Sequence, residues 1–488
     1  MAYEAAILNA KAHKTLAIAK KNRTHEIHFI KIGSSHVGQD GFGQSDACIK
    51  SLHDLNYRFV ITQPMAPSDG AMFDQDGALG VFTPHTLPGT GTEGLIPPGT
   101  VTVGSSMGYG WGSVPTASRA ALALLPVDLI QYVVKGWDGA AEQNPGLAFA
   151  QPWCGVTART DNGVGMQTDG ITDVIHQDED LIGWVAFGDD PTFSGGASIG
   201  FRRADAPTSQ ITSEPLKAMG RATGLYLESV ALAAGVGGAN RVFPHRLNLQ
   251  VNNVLGTLTP SLIALACLIE NSAVPWGVSC SPLIYYGGAG LRLFRQQIIN
   301  SFDDTVSLCG VPLMKLITGS RFGKAKKYVV DITWGSNDQN DTTLSVDGVN
   351  NSNTVTGAIA NLMDLIDRVR NYFLSELSIA FTNIYFRVRI DTPVSFPDDA
   401  DLVAYRAALV AILPALTALR VLVIDAMQLG SEAEYGTWWK TPGVDQTHLN
   451  AEGYYQIELR QMQGYFSKLE SLLGGGLSPY WKQELTGE

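Results

Sequence analysis

From Ser213 to the C-terminus, short β-favouring runs alternate with stretches of helical period, and nothing else in the 488 residues constrains the fold as much. The strand-like runs are 246–251, 328–334, 383–390 and 421–424. Helical stretches are expected at 214–234, 260–270, 290–302, 355–377 and 399–419, with a last one after Asn450. In 355–377 the residues Ile359, Leu362, Ile366, Val369 and Phe373 fall on a single stripe, which is the mark of a helix with one buried face. Strict alternation of this kind implies right-handed crossovers and a mostly parallel sheet covered on both faces, an α/β fold. Ligands of such sheets bind outside the carboxyl ends of the strands.

The strongest chemical signal lies just before the last helix, in Val444-Asp445-Gln446-Thr447-His448-Leu449-Asn450. A carboxylate three residues before a histidine can hold one imidazole nitrogen and leave the other facing a cleft. That fixes the tautomer and stabilises the imidazolium, as a general base for a serine nucleophile requires. Asp173 and His176 share the spacing, but His176 stands among Asp178, Glu179 and Asp180, the composition of a solvated loop. Beyond Asn450, the expected N-cap, Tyr454, Ile457, Met462, Phe466, Leu469 and Leu473 form one apolar face.

Residues 1–97 are expected to be a separate N-terminal module for attachment or oligomerisation. They hold a basic amphipathic helix, a strand at 28–32, a short helix near 47–55 and a strand at 57–62. His25 and His28 read as surface residues of that module. The G-x-G-x-x-G at Gly89 to Gly94 lies among Pro88, Pro97 and Pro98 with no strand–turn–helix frame, so it reads as linker and not as a nucleotide cradle. Residues 98–475 form the main domain, with an irregular or β-rich insertion at 112–210, and 476–488 form a tail. The main domain opens on Thr100-Val101-Thr102-Val103, a short strand running into Gly104-Ser105-Ser106-Met107-Gly108. A serine on a glycine-hedged turn at a strand end is how a nucleophilic hydroxyl is held above a parallel sheet, which points to Ser106. Ser35, after the 28–32 strand, is the alternative nucleophile, and Ser45 is a third.

Bulk properties exclude several classes. An apolar content of 45% and a charged content of 16% describe a chain with ample core, and length allows two to four domains. The net charge of -12 argues against nucleic acid as a partner. No apolar run is long enough for membrane insertion. Five scattered cysteines without a C-x-x-C pair read as reduced thiols. The N-terminus has no hydrophobic core before a small-residue cleavage site, so no signal peptide is expected.

Four blocks carry a family resemblance: 104–113 (GSSMGYGWGS), 212–231 (TSEPLKAMGRATGLYLESVA), 332–341 (ITWGSNDQND) and 445–457 (DQTHLNAEGYYQI). Taken in order after successive strands, they resemble the SGNH (GDSL-type) hydrolase superfamily, especially carbohydrate O-acetylesterases of the sialate-O-acetylesterase and acetylxylan-esterase kind. Ser105 departs from the Asp or Gln usual in the first block. The resemblance implies a three-layer α/β/α, flavodoxin-like domain and a serine esterase that removes acyl groups, most often acetyl, from an O-acetylated glycan. It implies Ser106 as nucleophile, His448 as base and Asp445 as its orienting acid. The oxyanion hole would be the Ser106 and Gly256 backbone N–H groups with the Asn337 side-chain amide. No metal and no cofactor are implied. Asp338 would shape the site or serve the turn, and Trp438-Trp439 would stack on a sugar or join the core. The competing reading is an inactive polysaccharide-binding or structural virion protein on the same fold. The N-terminal module would suit a bacteriophage tail protein, a homo-oligomer and then a trimer, located in the virion or else cytoplasmic.

Overall fold

A computed structural model describes residues 3–22, 25–34, 326–335, 353–375, 377–390, 400–441 and 445–474 and the strands between 156 and 286. It also describes positions 36, 44, 47, 48, 51, 52, 55, 291 and 338. In chain order, helix α1 (Lys14–Asn22) leads to strand β1 (Glu26–Ser34). Seven strands follow: β2 (Val156–Ala158), β3 (Val164–Gln167), β4 (Leu181–Asp189), β5 (Ser198–Arg203), β6 (Gly224–Leu232), β7 (Leu247–Asn252) and β8 (Leu262–Asn271). Then come β9 (Val278–Tyr286), β10 (Lys326–Trp334), α2 (Val355–Ser375), β11 (Ile384–Ile390), α3 (Ala400–Ala411), α4 (Leu413–Ala418) and β12 (Val421–Ile424). The chain continues through α5 (Glu432–Trp438), β13 (Trp439–Thr441), β14 (Asp445–Leu449) and α6 (Ala451–Ser471).

Five strands form one parallel sheet in the order β12-β11-β10-β1-β9, which in chain order is the doubly wound 2-1-3-4-5 arrangement. This bears out the α/β expectation and overturns one boundary. The strand assigned to a separate N-terminal module is an interior strand of the sheet, with β10 on one side and the edge strand β9 on the other. His28 is accordingly buried in the sheet and not on a surface. The reason is in the strand's composition: apolar residues on both faces suit a parallel strand covered twice, and Lys31, its one interior charge, finds buried partners.

Residues before β1 also belong to this body. Leu8 N–H donates to Val423 O (3.1 Å), Asp425 N–H to Ala6 O (2.9 Å), and the Asn9 side chain bonds Val421 O (2.8 Å) and Val423 N–H (2.7 Å). The N-terminal segment thus covers the outer edge of β12, where unpaired backbone would otherwise invite another chain. Gly464 of α6 lets the backbone of Tyr3 pass in contact, since a Cβ there would collide with Tyr3 O.

The two faces are read by alternation along the strands. On one, Ile27 and Phe29 of β1, Cys280 of β9, Val329 of β10, Tyr385 of β11 and Leu422 of β12 pack under α1, the helical turns at 47–52 and α6. On the other, Tyr328 meets Phe373 of α2 (ring centroids 5.5 Å apart) and Trp334 meets Tyr405 of α3 (5.1 Å). That is the α/β/α layering. Leu362, Ile366, Val369 and Phe373 are buried as the stripe requires. The helix expected over 399–419 breaks at Ile412, where Pro414 enters the first turn of α4.

One row of the first face is charged. Lys31, Asp331 and Arg387 lie in register on three adjacent strands. Lys31 Nζ is 2.7 Å from Asp331 Oδ2, and Arg387 Nε donates to Asp331 Oδ1 at 2.5 Å. Glu458 of α6 closes the group by accepting from Lys31 (2.9 Å) and from Arg389 (2.7 Å), and Gln461 accepts from Arg389 (2.8 Å). All six side chains are buried. Beside them His13 bonds Phe386 O (3.0 Å) and the Tyr465 hydroxyl (2.7 Å). Because a carbonyl only accepts, Nε2 carries the proton and Nδ1 accepts from Tyr465. Burial, with Arg387 nearby, holds that imidazole down to about 3 and keeps it neutral.

Between β1 and β9 the described strands are antiparallel, in sheets ordered β2-β8-β4-β6 and β3-β7-β5. The β-rich stretch expected at 112–210 therefore has described strands from 156 to 271. Two expected helices are strands: 214–234 contains β6 and 260–270 is replaced by β8. Short continuous apolar runs fit either period, and pairing along nearly the whole of β4 decides for strand. The strand expected at 246–251 is β7, but it lies in an antiparallel sheet and not in the parallel one.

Candidate active site

In a 2-1-3-4-5 sheet the ligand crevice opens where strand order reverses, outside the carboxyl ends of the first and third strands. Here these are β1 and β10. β1 ends at Ser34, and Ser35 and His36 follow in sequence. β10 ends at Trp334 and turns at Gly335, whose φ of 126° is open to glycine and strained for other residues. Asp338 holds that turn: its Oδ2 accepts from Gly335 N–H (3.2 Å) and its Oδ1 from Leu291 N–H (2.8 Å). Leu291 lies beyond the end of β9, so this buried carboxylate ties together the two segments that follow β1's neighbours in the sheet. Its role is that of a turn anchor.

His448 comes to the same end of the sheet on β14. β14 pairs antiparallel with β13, matching Leu449 to Trp439 and Asp445 to Thr441. Four residue steps on β14 thus face two on β13, so the pairing is irregular between Asp445 and Leu449. The sequence places Asp445 and His448 just before the last helix, and the structure puts them on this irregular strand.

The imidazoles of His448 and His36 pack with ring centroids 5.2 Å apart and planes inclined by 41°. His36 is buried, and its Nδ1 lies 3.1 Å from the Tyr454 hydroxyl. Tyr454 stands in the first turns of α6, whose N-cap is Asn450 as its sequence pattern predicts. Asn450 Oδ1 accepts from Gly453 N–H (2.8 Å), its amide donates to Thr437 O (3.0 Å), and its own N–H donates to Trp438 O (2.7 Å). Gly453 keeps the contact open, because a Cβ there would sit 2.7 Å from that of Trp438. Asn450→Ala is expected to lower stability by about 1–2 kcal/mol, read as a shift of the urea midpoint at constant slope; an unmoved midpoint would mean that water replaces the cap.

Of the residues singled out in the sequence, Ser106, Gly256, Asn337, Ser35, Ser45 and His176 lie outside the described residues. Asp445 is described as the first residue of β14, and His448 with its half-buried ring. The strand that precedes Gly256 in sequence is β7, which lies outside the parallel sheet. His36 has no role in the sequence reading; a second histidine directly after Ser35 was the signal.

No family model and no curated protein matches this chain. Solved structures do. A peptidoglycan O-acetylesterase is similar at 11% identity over 96% of this chain and 99% of its own, with a TM-score of 0.43. The salicylyl-acyltransferase SsfX3 from a tetracycline biosynthetic pathway is similar at 12% identity over 63% and 82%, with a TM-score of 0.26. A family two carbohydrate esterase from Clostridium thermocellum, in complex with cellohexaose, is similar at 11% identity over 65% and 94%, with a TM-score of 0.27.

Trp438 and Trp439 resolve to the core: both are buried against Tyr435, and Arg460 stacks on Trp438 at 4.8 Å. Among the described residues, no group of three or more His, Cys, Asp or Glu side chains is placed to hold a metal ion.

Proposed function

We propose that the chain is a serine ester hydrolase whose general base is His448, oriented by Asp445, and whose nucleophile is Ser35. The observation that carries this reading is the packing of His36 on His448 at 5.2 Å. Ser35 is the residue between His36 and the end of β1, so the only serine adjacent in sequence to that contact follows the first strand of the switch point. Ser34 ends the strand itself. Asn337 lies in sequence between Gly335 and Asp338, just after the end of β10. Its amide and the Ser35 backbone N–H are the oxyanion donors of this reading.

In the first half-reaction Ser35 Oγ attacks the acyl carbon while its proton passes to His448. The tetrahedral oxyanion collapses, the C–O bond to the alcohol breaks, and His448 returns the proton to the leaving oxygen. Water, deprotonated by the same imidazole, then cleaves the acyl-enzyme and regenerates the serine. The acyl group is taken as acetyl and the alcohol as a carbohydrate hydroxyl, on the strength of the sequence blocks at 332–341 and 445–457.

The test is covalent. An alkyl fluorophosphonate should label one serine, and peptide mass spectrometry should place the adduct on Ser35. An adduct on Ser106 would reassign the nucleophile. Absence of both labelling and p-nitrophenyl acetate turnover would favour a binding protein on this fold.

A further inference from the structure

Two bonds join the segment that carries Ser35 to the helix that follows His448, and they bracket Ser35. Before it, Lys31 of β1 donates to Glu458 of α6 at 2.9 Å. After it, His36 Nδ1 meets the Tyr454 hydroxyl at 3.1 Å, with the two rings edge-to-face at 6.0 Å and 74°. Tyr454 and Glu458 are one helical turn apart, so they stand on the same side of α6. Glu458 is held a second time by Arg389 of β11 (2.7 Å), which fixes the helix against the sheet. His36, so anchored, lies against His448.

We infer that His36 and Tyr454 are a positioning pair for His448. They set the orientation of its ring, and with Lys31–Glu458 they hold His36 and β1 at a constant separation from the histidine-bearing strand and the helix that follows it. Neither touches the substrate. The inference rests on the esterase reading, in which the productive state requires His448 within hydrogen-bond reach of one hydroxyl. Misplacement by about 1 Å at such a junction costs on the order of 10²-fold in rate. A merely structural pair would instead change stability and leave turnover per folded molecule alone.

Tyr454→Phe removes one hydroxyl and leaves the ring. Its kcat for p-nitrophenyl acetate is expected to fall about 10-fold to 100-fold, with KM within about two-fold of wild type. His36→Asn keeps an amide where Nδ1 stood, so it retains the bond to Tyr454 and loses the ring on His448; it should keep more activity than His36→Ala. Independently of turnover, histidine labelled with ¹³C at Cε1 reports the ring environment. The His448 resonance, assigned by its loss in His448→Gln, should move in Tyr454→Phe, while that of His13 should stay. If the wild type hydrolyses esters, and Tyr454→Phe leaves kcat within two-fold or the His448 resonance unmoved, the pair does not position the base. If the wild type hydrolyses nothing, the esterase reading fails by itself; the resonance shift then still decides whether Tyr454 controls the His448 ring.

Discussion

Ser35→Ala is expected to lower kcat for p-nitrophenyl acetate by about four to six orders of magnitude, the range found when a triad serine is removed. Ser106→Ala should stay within about two-fold of wild type. The difference follows from sheet order. A nucleophile in a doubly wound sheet is presented at the reversal of strand order, and the strand there is β1, with β10 and β9 as its two neighbours. His448→Ala should match Ser35→Ala, and the double variant should be no worse than either, because groups that act as one unit do not add. The measurement is steady-state turnover of purified variants with matched thermal midpoints. Inactive Ser106→Ala beside active Ser35→Ala would return the nucleophile to the glycine-rich 104–113 stretch.

How much of this was legible can be judged strand by strand. β10, β11, α2 and α6 were readable because each is long or strongly periodic, and β12, only four residues, because it takes its place in the alternation. β1 was readable as a strand but not as part of the parallel sheet. Its neighbours begin at Val278 and Lys326, some two hundred and fifty residues on or more, and alternation sees only adjacent elements. β9 was hidden by Pro282, which argues against a strand interior. The structure accommodates it at a bulge: Lys31 pairs with Pro282 and Ile32 with Ile284, so the register skips a residue there. At the site, Asp445, His448 and Asn450 stood out because a helical apolar face follows them, where Asp173 and His176 share the spacing without it. His36 carried no such signal, since its importance comes from a contact across 412 residues. Asp338 was ambiguous for the same reason, until its bond to Leu291 showed what it anchors.

The charged row beneath the site makes a prediction of comparable weight about stability. Asp331 is the shared anion of Lys31 and Arg387, and all three are buried. Burial alone would push its carboxyl up, but Arg387 and Lys31 outweigh burial and hold it at about 2. Glu458, likewise buried, is lowered by Lys31 and Arg389. Asp331→Ala leaves Lys31 with Glu458 alone and strands the Arg387 guanidinium against Phe29 and Tyr465. Breaking a buried pair from one side costs about 3–5 kcal/mol, a large part of the roughly 5–15 kcal/mol that holds a domain. Acid should produce part of the same loss without mutation. A carboxyl lower in the folded than in the unfolded chain contributes stability that is complete above the unfolded value, near 4, and is lost as pH falls toward 2. The loss through this group is on the order of 2 kcal/mol. Urea denaturation of the wild type at several pH values between 5 and 2 should therefore slope more steeply than that of Asp331→Asn, which has no proton to take up. Equal slopes would mean that the row is not paired as described. If Asp331→Ala were as stable as the wild type, the ion row could not be what clamps α6 to β1 and β11.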